Sequence, residues 1–110
     1  MHDSGITGSG NTICLIDNGL YYQHSNLGGC VGSNCKVLAT YNAQDGTSNI
    51  NSESHGTWTA GVIASDHSKY RGVAYGSKLV FVQNTGYNNF SNAIKWCVDN
   101  KDTYNITIIS

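Results

Sequence analysis

The stretch NTICLID, residues 11–17, decides the fold class of this chain. It is a near-continuous apolar run that ends in an aspartate, and the residues NGL that follow break it. Such a run is typical of a strand that is buried on both faces, as in a parallel sheet. Ligands of α/β proteins bind outside the carboxyl ends of such strands. Asp17 therefore lies where chemistry is expected.

The rest of the chain alternates apolar strand-like runs with helical patterns. Further strands are predicted at residues 36–42 (KVLATYN), 77–84 (SKLVFVQN) and 104–110 (YNITIIS). One helix is predicted from His55 to about His67, where Gly56 and Gly61 indicate close backbone approach. A second, amphipathic helix is predicted over residues 88–101. This alternation predicts an α/β fold with a mainly parallel sheet and right-handed crossovers.

The last predicted strand is informative because it is apolar and ends at Ser110. A central strand normally leads into a turn and a helix that covers its face. We therefore expect residues 1–110 to form an incomplete domain. The missing carboxyl-terminal half of that domain is then an expected binding partner.

Composition excludes several functional classes. The chain has 110 residues, the size of one small domain, and no apolar run reaches the roughly 18 residues of a membrane helix. A net charge of −1 with 12% charged residues argues against binding to nucleic acid or to anionic membranes. Asn, Ser, Thr, Gly and Tyr supply the polarity, as in many exported proteins. The first ten residues do not resemble a signal peptide, so a signal would lie upstream.

Four cysteines allow three pairings. Cys30 and Cys35 lie in a Gly/Ser/Asn-rich turn that a short disulfide would order, and a zinc site is the weaker alternative. Cys14 lies in a predicted strand and Cys97 in a predicted helix. Buried free thiols are the favoured interpretation for both, and their pairing stays open. The pattern indicates an oxidising compartment, and we expect a secreted or extracellular protein.

Asp17 and His55 are the candidate catalytic pair. A carboxylate at a strand end can accept the Nδ1–H of an imidazole and stabilise the imidazolium that forms when Nε2 accepts a proton. A serine hydroxyl needs such a base near neutral pH. The alternatives are structural, with Asp17 as a turn former and His55 as a helix cap.

Four segments in order resemble subtilisin-like serine proteases. GSGNTICLIDNGLYYQHSNLGG resembles the aspartate segment of that family, and SHGTWTAGVIAS resembles its histidine segment His-Gly-Thr-x-x-Ala-Gly. YRGVAYGSKLVFVQ is similar to the segment that enters the next strand. AIKWCVDNKDTYNITIIS is similar to the following helix and substrate-binding strand. The resemblance implies a three-layer subtilisin-like fold, represented by its amino-terminal half.

The resemblance also implies an activity and site residues. It implies a serine endopeptidase that hydrolyses peptide bonds of proteins, with His55 as general base and Asp17 as the residue that orients it. Ser110 matches the serine of the strand that pairs with substrate. The family's Gly-Thr-Ser nucleophile segment and its oxyanion-hole Asn are absent from the sequence. We therefore expect the chain alone to be inactive. A non-catalytic remnant that binds peptides or protein partners is the alternative.

Several positions depart from the family pattern, and other motifs carry no functional prediction. Asn26 stands where relatives often have a calcium-binding Asp, so we expect no calcium and no other cofactor. Trp58 replaces a second histidine and is interpreted as packing. No H-E-x-x-H motif or phosphate loop is present. The sequence contains two N-glycosylation sequons. Asn89-Phe90-Ser91 could be glycosylated if the source is a eukaryote. Asn105-Ile106-Thr107 falls in a predicted core strand, so we expect no glycan there.

Overall fold

A computed structural model of the chain describes residues 8–24, 27–51, 54–65, 72–84 and 90–110. Four strands form one sheet, and in chain order they are β1 (Thr12–Asp17), β2 (Val37–Asn42), β3 (Lys78–Gln83) and β4 (Ile106–Ile109). Their spatial order is β2-β3-β1-β4, and all three pairings are parallel. The predicted parallel sheet is confirmed.

Within the described ranges, three helices accompany the sheet: α1 (Ser54–Ala64), α2 (Phe90–Asp99) and the one-turn α3 (Lys101–Tyr104). The predicted helix over 88–101 thus ends earlier, and α3 occupies the start of the predicted last strand. Asn105 ends α3 in the left-handed conformation (φ 56°, ψ 45°), and its backbone N–H donates to the carbonyl of Lys101. This residue turns the chain, so β4 begins at Ile106.

The helices cover opposite faces of the sheet. On one face, Leu15 and Phe81 belong to a buried cluster that also contains Ala60 and Ala64 of α1. On the other face, Cys14 and Val80 belong to a buried cluster that α2 completes with Ala93 and Cys97. The two central strands, β1 and β3, are therefore buried on both faces, and the architecture is three-layered.

Two disulfides join Cys14 to Cys97 and Cys30 to Cys35, and no described cysteine is free. The expectation of free thiols at Cys14 and Cys97 is therefore wrong. Cys14 points from the middle of β1 to the α2 face, and Cys97 is one of only two buried residues of α2. Their Cα atoms lie 6.2 Å apart, which is within the range that a disulfide requires. The sequence pattern gives each face but not the register of helix against strand.

The β4 side of the described sheet is rich in exposed apolar side chains. Ile108 and Ile109 of β4 are exposed, as expected for an apolar strand whose face nothing covers. Large apolar residues are also exposed on α1 (Trp58 and Val62) and on α2 (Phe90, Ile94 and Val98). In the described ranges, no helix is long and apolar enough to span a membrane.

The two disulfides should differ in their contribution to stability. The Cys14–Cys97 bond spans 83 residues and the Cys30–Cys35 bond only 5. The entropy of loop closure in the unfolded chain then predicts a contribution of about 4.5 kcal/mol for the first bond and about 2 kcal/mol for the second. Urea denaturation of the Cys14→Ala/Cys97→Ala and Cys30→Ala/Cys35→Ala variants measures both. Equal losses would show that loop length does not determine the effect.

Candidate active site

Asp17 is the last residue of β1 and is held by backbone groups. Its carbonyl accepts the N–H of Asn84 at 2.8 Å, and its Oδ1 accepts the N–H of Asn18 at 2.7 Å. The side chain is only 11% exposed. The carboxylate therefore has a fixed position at the carboxyl end of the central strand.

His55 lies in the first turn of α1 with its ring against this carboxylate. Its Nδ1 is 3.0 Å from both Oδ1 and Oδ2 of Asp17, so the predicted proximity of the two side chains is confirmed. An ionised carboxylate only accepts hydrogen bonds, so the hydrogen of this contact lies on Nδ1, and in the neutral ring Nε2 then carries the lone pair. The His55 side chain is 73% exposed. The free nitrogen can therefore accept a proton from a group that approaches from outside.

The first turn of α1 packs directly on the loop that follows β1. A β-carbon added at Gly56 would overlap the carbonyl oxygen of Gly19. The Tyr21 N–H donates to Oγ1 of Thr57 at 2.9 Å, one residue further along the helix. The close approach expected at Gly56 is thus confirmed. The same expectation is wrong for Gly61, where an added β-carbon would meet nothing within 4 Å.

A cleft of about 470 Å³ opens beside the histidine, and its lining residues are His55, Trp58, Thr59, Val62, Ile63 and Ser110. Ser110 thus shares a cleft with His55. Its N–H donates to Cys14 and its carbonyl accepts from Ile16, each at 2.9 Å. The hydroxyl and the second lone pair of that carbonyl remain for other partners.

The other residues that line this cleft were not predicted from the sequence. Thr59, Val62 and Ile63 follow His55 by four, seven and eight positions, the spacing of one helix face. The signal was therefore present in the helical periodicity. Trp58 was interpreted as packing, but its side chain is exposed at the cleft.

The described ranges hold no group of three or more His, Cys, Asp or Glu residues that could bind a metal ion. Asn26, on which the expectation about calcium rests, lies outside the described residues.

The model of the subtilase family matches residues 8–109. The chain belongs to the subtilase family. It is 32% identical over 117 aligned residues to the subtilisin of Bacillus pumilus, with 98% of this chain and 40% of that protein covered. The identity to subtilisin E of Bacillus subtilis (strain 168) is also 32%, with 29% of that protein covered. The chain thus spans well under half the length of these subtilases.

Solved structures show the same fold. The Clostridium perfringens CspB protease superposes with a TM-score of 0.78 at 22% identity. The superposition covers 96% of this chain and 29% of the CspB chain. A cold-adapted subtilisin-like serine proteinase superposes with a TM-score of 0.66 at 25% identity, covering 86% of this chain and 34% of its own. The four strands and their helices are therefore a subtilisin-like α/β arrangement.

The two helix glycines offer a matched test of how this subtilase positions its histidine. Gly56→Ala should destabilise the chain by about 1–3 kcal/mol, because the new methyl group overlaps backbone. Gly61→Ala should stabilise it by roughly 0.5–1 kcal/mol, because the site is open and alanine favours a helix. Urea denaturation of both variants measures the difference. A stable Gly56→Ala variant would contradict the close approach of α1 to Gly19.

Proposed function

We propose that residues 1–110 are the amino-terminal part of the catalytic domain of a serine endopeptidase that cleaves peptide bonds in proteins. The observation that carries this proposal is the 3.0 Å contact between Nδ1 of His55 and the carboxylate of Asp17, beside an open cleft. Membership of the subtilase family supports it. The domain boundary, 1–110, is part of the proposal.

The chemistry assigned to the pair is proton transfer. Nε2 of His55 accepts the hydroxyl proton of a serine as the serine oxygen bonds to the substrate carbonyl carbon. The ionised Asp17 stabilises the resulting imidazolium and keeps its orientation. His55 then returns the proton to the amine as the peptide bond breaks, so the base is regenerated. No cofactor is part of this scheme.

The serine is proposed to come from a further part of the domain that packs beside α1, α2 and β4. Large apolar side chains are exposed on all three of these elements. The related subtilases are also much longer than the matched region. Such apolar surface is normally covered in a folded protein. The chain alone is accordingly proposed to be inactive, because residues 1–110 lack the family's Gly-Thr-Ser nucleophile segment and its oxyanion-hole Asn.

Ser110 is proposed to contact the substrate. It lines the same cleft as His55, and its N–H is already bonded to β1. Its hydroxyl or its carbonyl is therefore the group offered to a peptide. Secretion is proposed from the disulfides and the low charged fraction, since disulfides persist in oxidising compartments.

A non-catalytic role is the second candidate. The exposed cleft and the apolar surfaces beside β4 could bind a peptide or a protein partner without any chemistry. The two candidates differ in whether His55 matters to anything beyond binding.

A chimeric enzyme tests the catalytic role. Residues 1–110 are fused to the carboxyl-terminal remainder of the Bacillus pumilus subtilisin, and casein hydrolysis and fluorophosphonate labelling of the serine are measured. We expect activity that His55→Ala abolishes. Asp17→Asn should lower it by about 10⁴-fold, a magnitude known for triad proteases, subtilisin among them, and not obtained from this structure. The exposed His24 supplies the control variant His24→Ala, which should retain activity.

Two outcomes would contradict the proposal. A folded chimera whose activity survives His55→Ala would remove His55 from the mechanism. Casein hydrolysis by the pure 110-residue chain, abolished by His55→Ala, would show that no further part of the domain is needed.

Docking of the remainder can be followed independently of catalysis. Trp58 is 73% exposed, and Trp96 stacks on Tyr41 and can be replaced by phenylalanine. In a Trp96→Phe background, Trp58 is the single tryptophan of residues 1–110. Its fluorescence should shift to shorter wavelength when a separately produced carboxyl-terminal remainder is added, because the indole leaves water. An unchanged spectrum on confirmed binding would place the interface elsewhere.

A further inference from the structure

The triplet Asn105-Ile106-Thr107 is an acceptor sequence for N-linked glycans. The sequence placed it inside a buried strand, and the structure corrects this placement. Asn105 is the exposed residue that ends α3, and β4 starts one residue later. Thr107 is exposed as well. Both recognition residues of the triplet are therefore at the surface.

The side-chain amide of Asn105 keeps a group free for modification. Its Nδ2 donates one hydrogen bond, to the carbonyl of Gly10 at 2.7 Å. A primary amide nitrogen carries two hydrogens, and a glycosylated one retains one hydrogen. A substituted Asn105 therefore still has a hydrogen that can be donated to Gly10. The folded turn and a glycan on this nitrogen are chemically compatible.

The position of Asn105 keeps a glycan away from the candidate active site. Asn105 precedes β4 and Gly10 precedes β1, so both lie at the amino ends of parallel strands. Asp17 and Ser110 lie at the carboxyl ends of these strands, roughly 13 Å away along a strand of four residues. The contact with Gly10 also directs the amide toward the residues that precede β1 and not toward the outer edge of β4.

We propose that Asn105 is an N-glycosylation site of the secreted chain. The ligand class is an oligosaccharide carried on a polyprenyl diphosphate, and the transfer requires an oligosaccharyltransferase. A bond forms between Nδ2 and C1 of the first sugar, the bond from C1 to the diphosphate oxygen breaks, and Nδ2 gives up one proton to a base. The described cysteines are all in disulfides, which agrees with export through an oxidising compartment.

The second sequon supplies an internal comparison. Asn89-Phe90-Ser91 carries the same type of acceptor, but Asn89 lies outside the described residues. Only the Asn105 triplet therefore has a structural argument behind it.

The test uses the full chain, exported from a yeast secretory host behind an added signal peptide. Peptide N-glycosidase treatment in ¹⁸O water converts each occupied asparagine to labelled aspartate, which peptide mass spectrometry assigns. We expect label at Asn105, no label there in Thr107→Ala, and label retained in Thr107→Ser. Ser91→Ala should leave the Asn105 label unchanged.

A variant that is retained inside the cell can still be tested. The glycan is added during translocation, so the cell-associated chain is mapped in the same way. Unlabelled Asn105 in the wild-type chain that has entered the secretory route overturns the proposal. Label at Asn105 in the Thr107→Ala variant also overturns the proposal, because the label would then not depend on the threonine of the acceptor triplet.

Discussion

The close approach of α1 to the loop after β1 is the constraint on which the site depends. Gly56 has no side chain where the carbonyl of Gly19 would meet one, so the helix begins almost in contact with the end of the strand. Thr57 secures this contact through its hydroxyl group, which accepts the N–H of Tyr21. The residue that precedes Gly56 is then carried to the end of β1. His55 reaches Asp17 because of this backbone contact and not through a long side chain.

The two members of the pair differ in exposure, and this difference suits each to the role proposed for it. Asp17 is almost buried, and the backbone of its own loop and of the residue after β3 holds it in place. His55 is bound through one ring nitrogen and is otherwise open to the cleft. A fixed acceptor paired with an accessible ring defines one hydrogen-bonded orientation and one reactive edge. Serine proteases need this arrangement in a general base.

Patterns within one element were predictable from the sequence, and contacts between elements were not. The apolar runs of β1 and β3 gave their burial, because a strand that is covered on both faces has no polar alternation. The proximity of Asp17 and His55 followed from their places at element ends and from the family resemblance. Cys14 and Cys97 did not, because a pairing depends on the register of helix against strand.

The boundaries and the local space around particular residues were also beyond the sequence. The left-handed turn at Asn105 depends on one backbone conformation, and it shortened the last strand. Gly56 and Gly61 look equivalent in sequence, yet only one of them faces another part of the backbone. Helical periodicity did contain the face that lines the cleft, from His55 to Ile63. Periodicity alone does not show whether such a helix face is covered by the rest of the protein or lines a cleft.

The nested arrangement of the two disulfides sets an order of events during synthesis. Cys30 can meet Cys35 as soon as a short turn has left the ribosome, whereas Cys14 must wait for Cys97, 83 residues later. In that interval Cys30 and Cys35 are the other cysteines of residues 1–110 that it could meet. Early closure of the small loop removes both of them from exchange. Closure of the local disulfide would thus lower the chance that the distant one mispairs, an effect separate from the small stabilisation predicted for it.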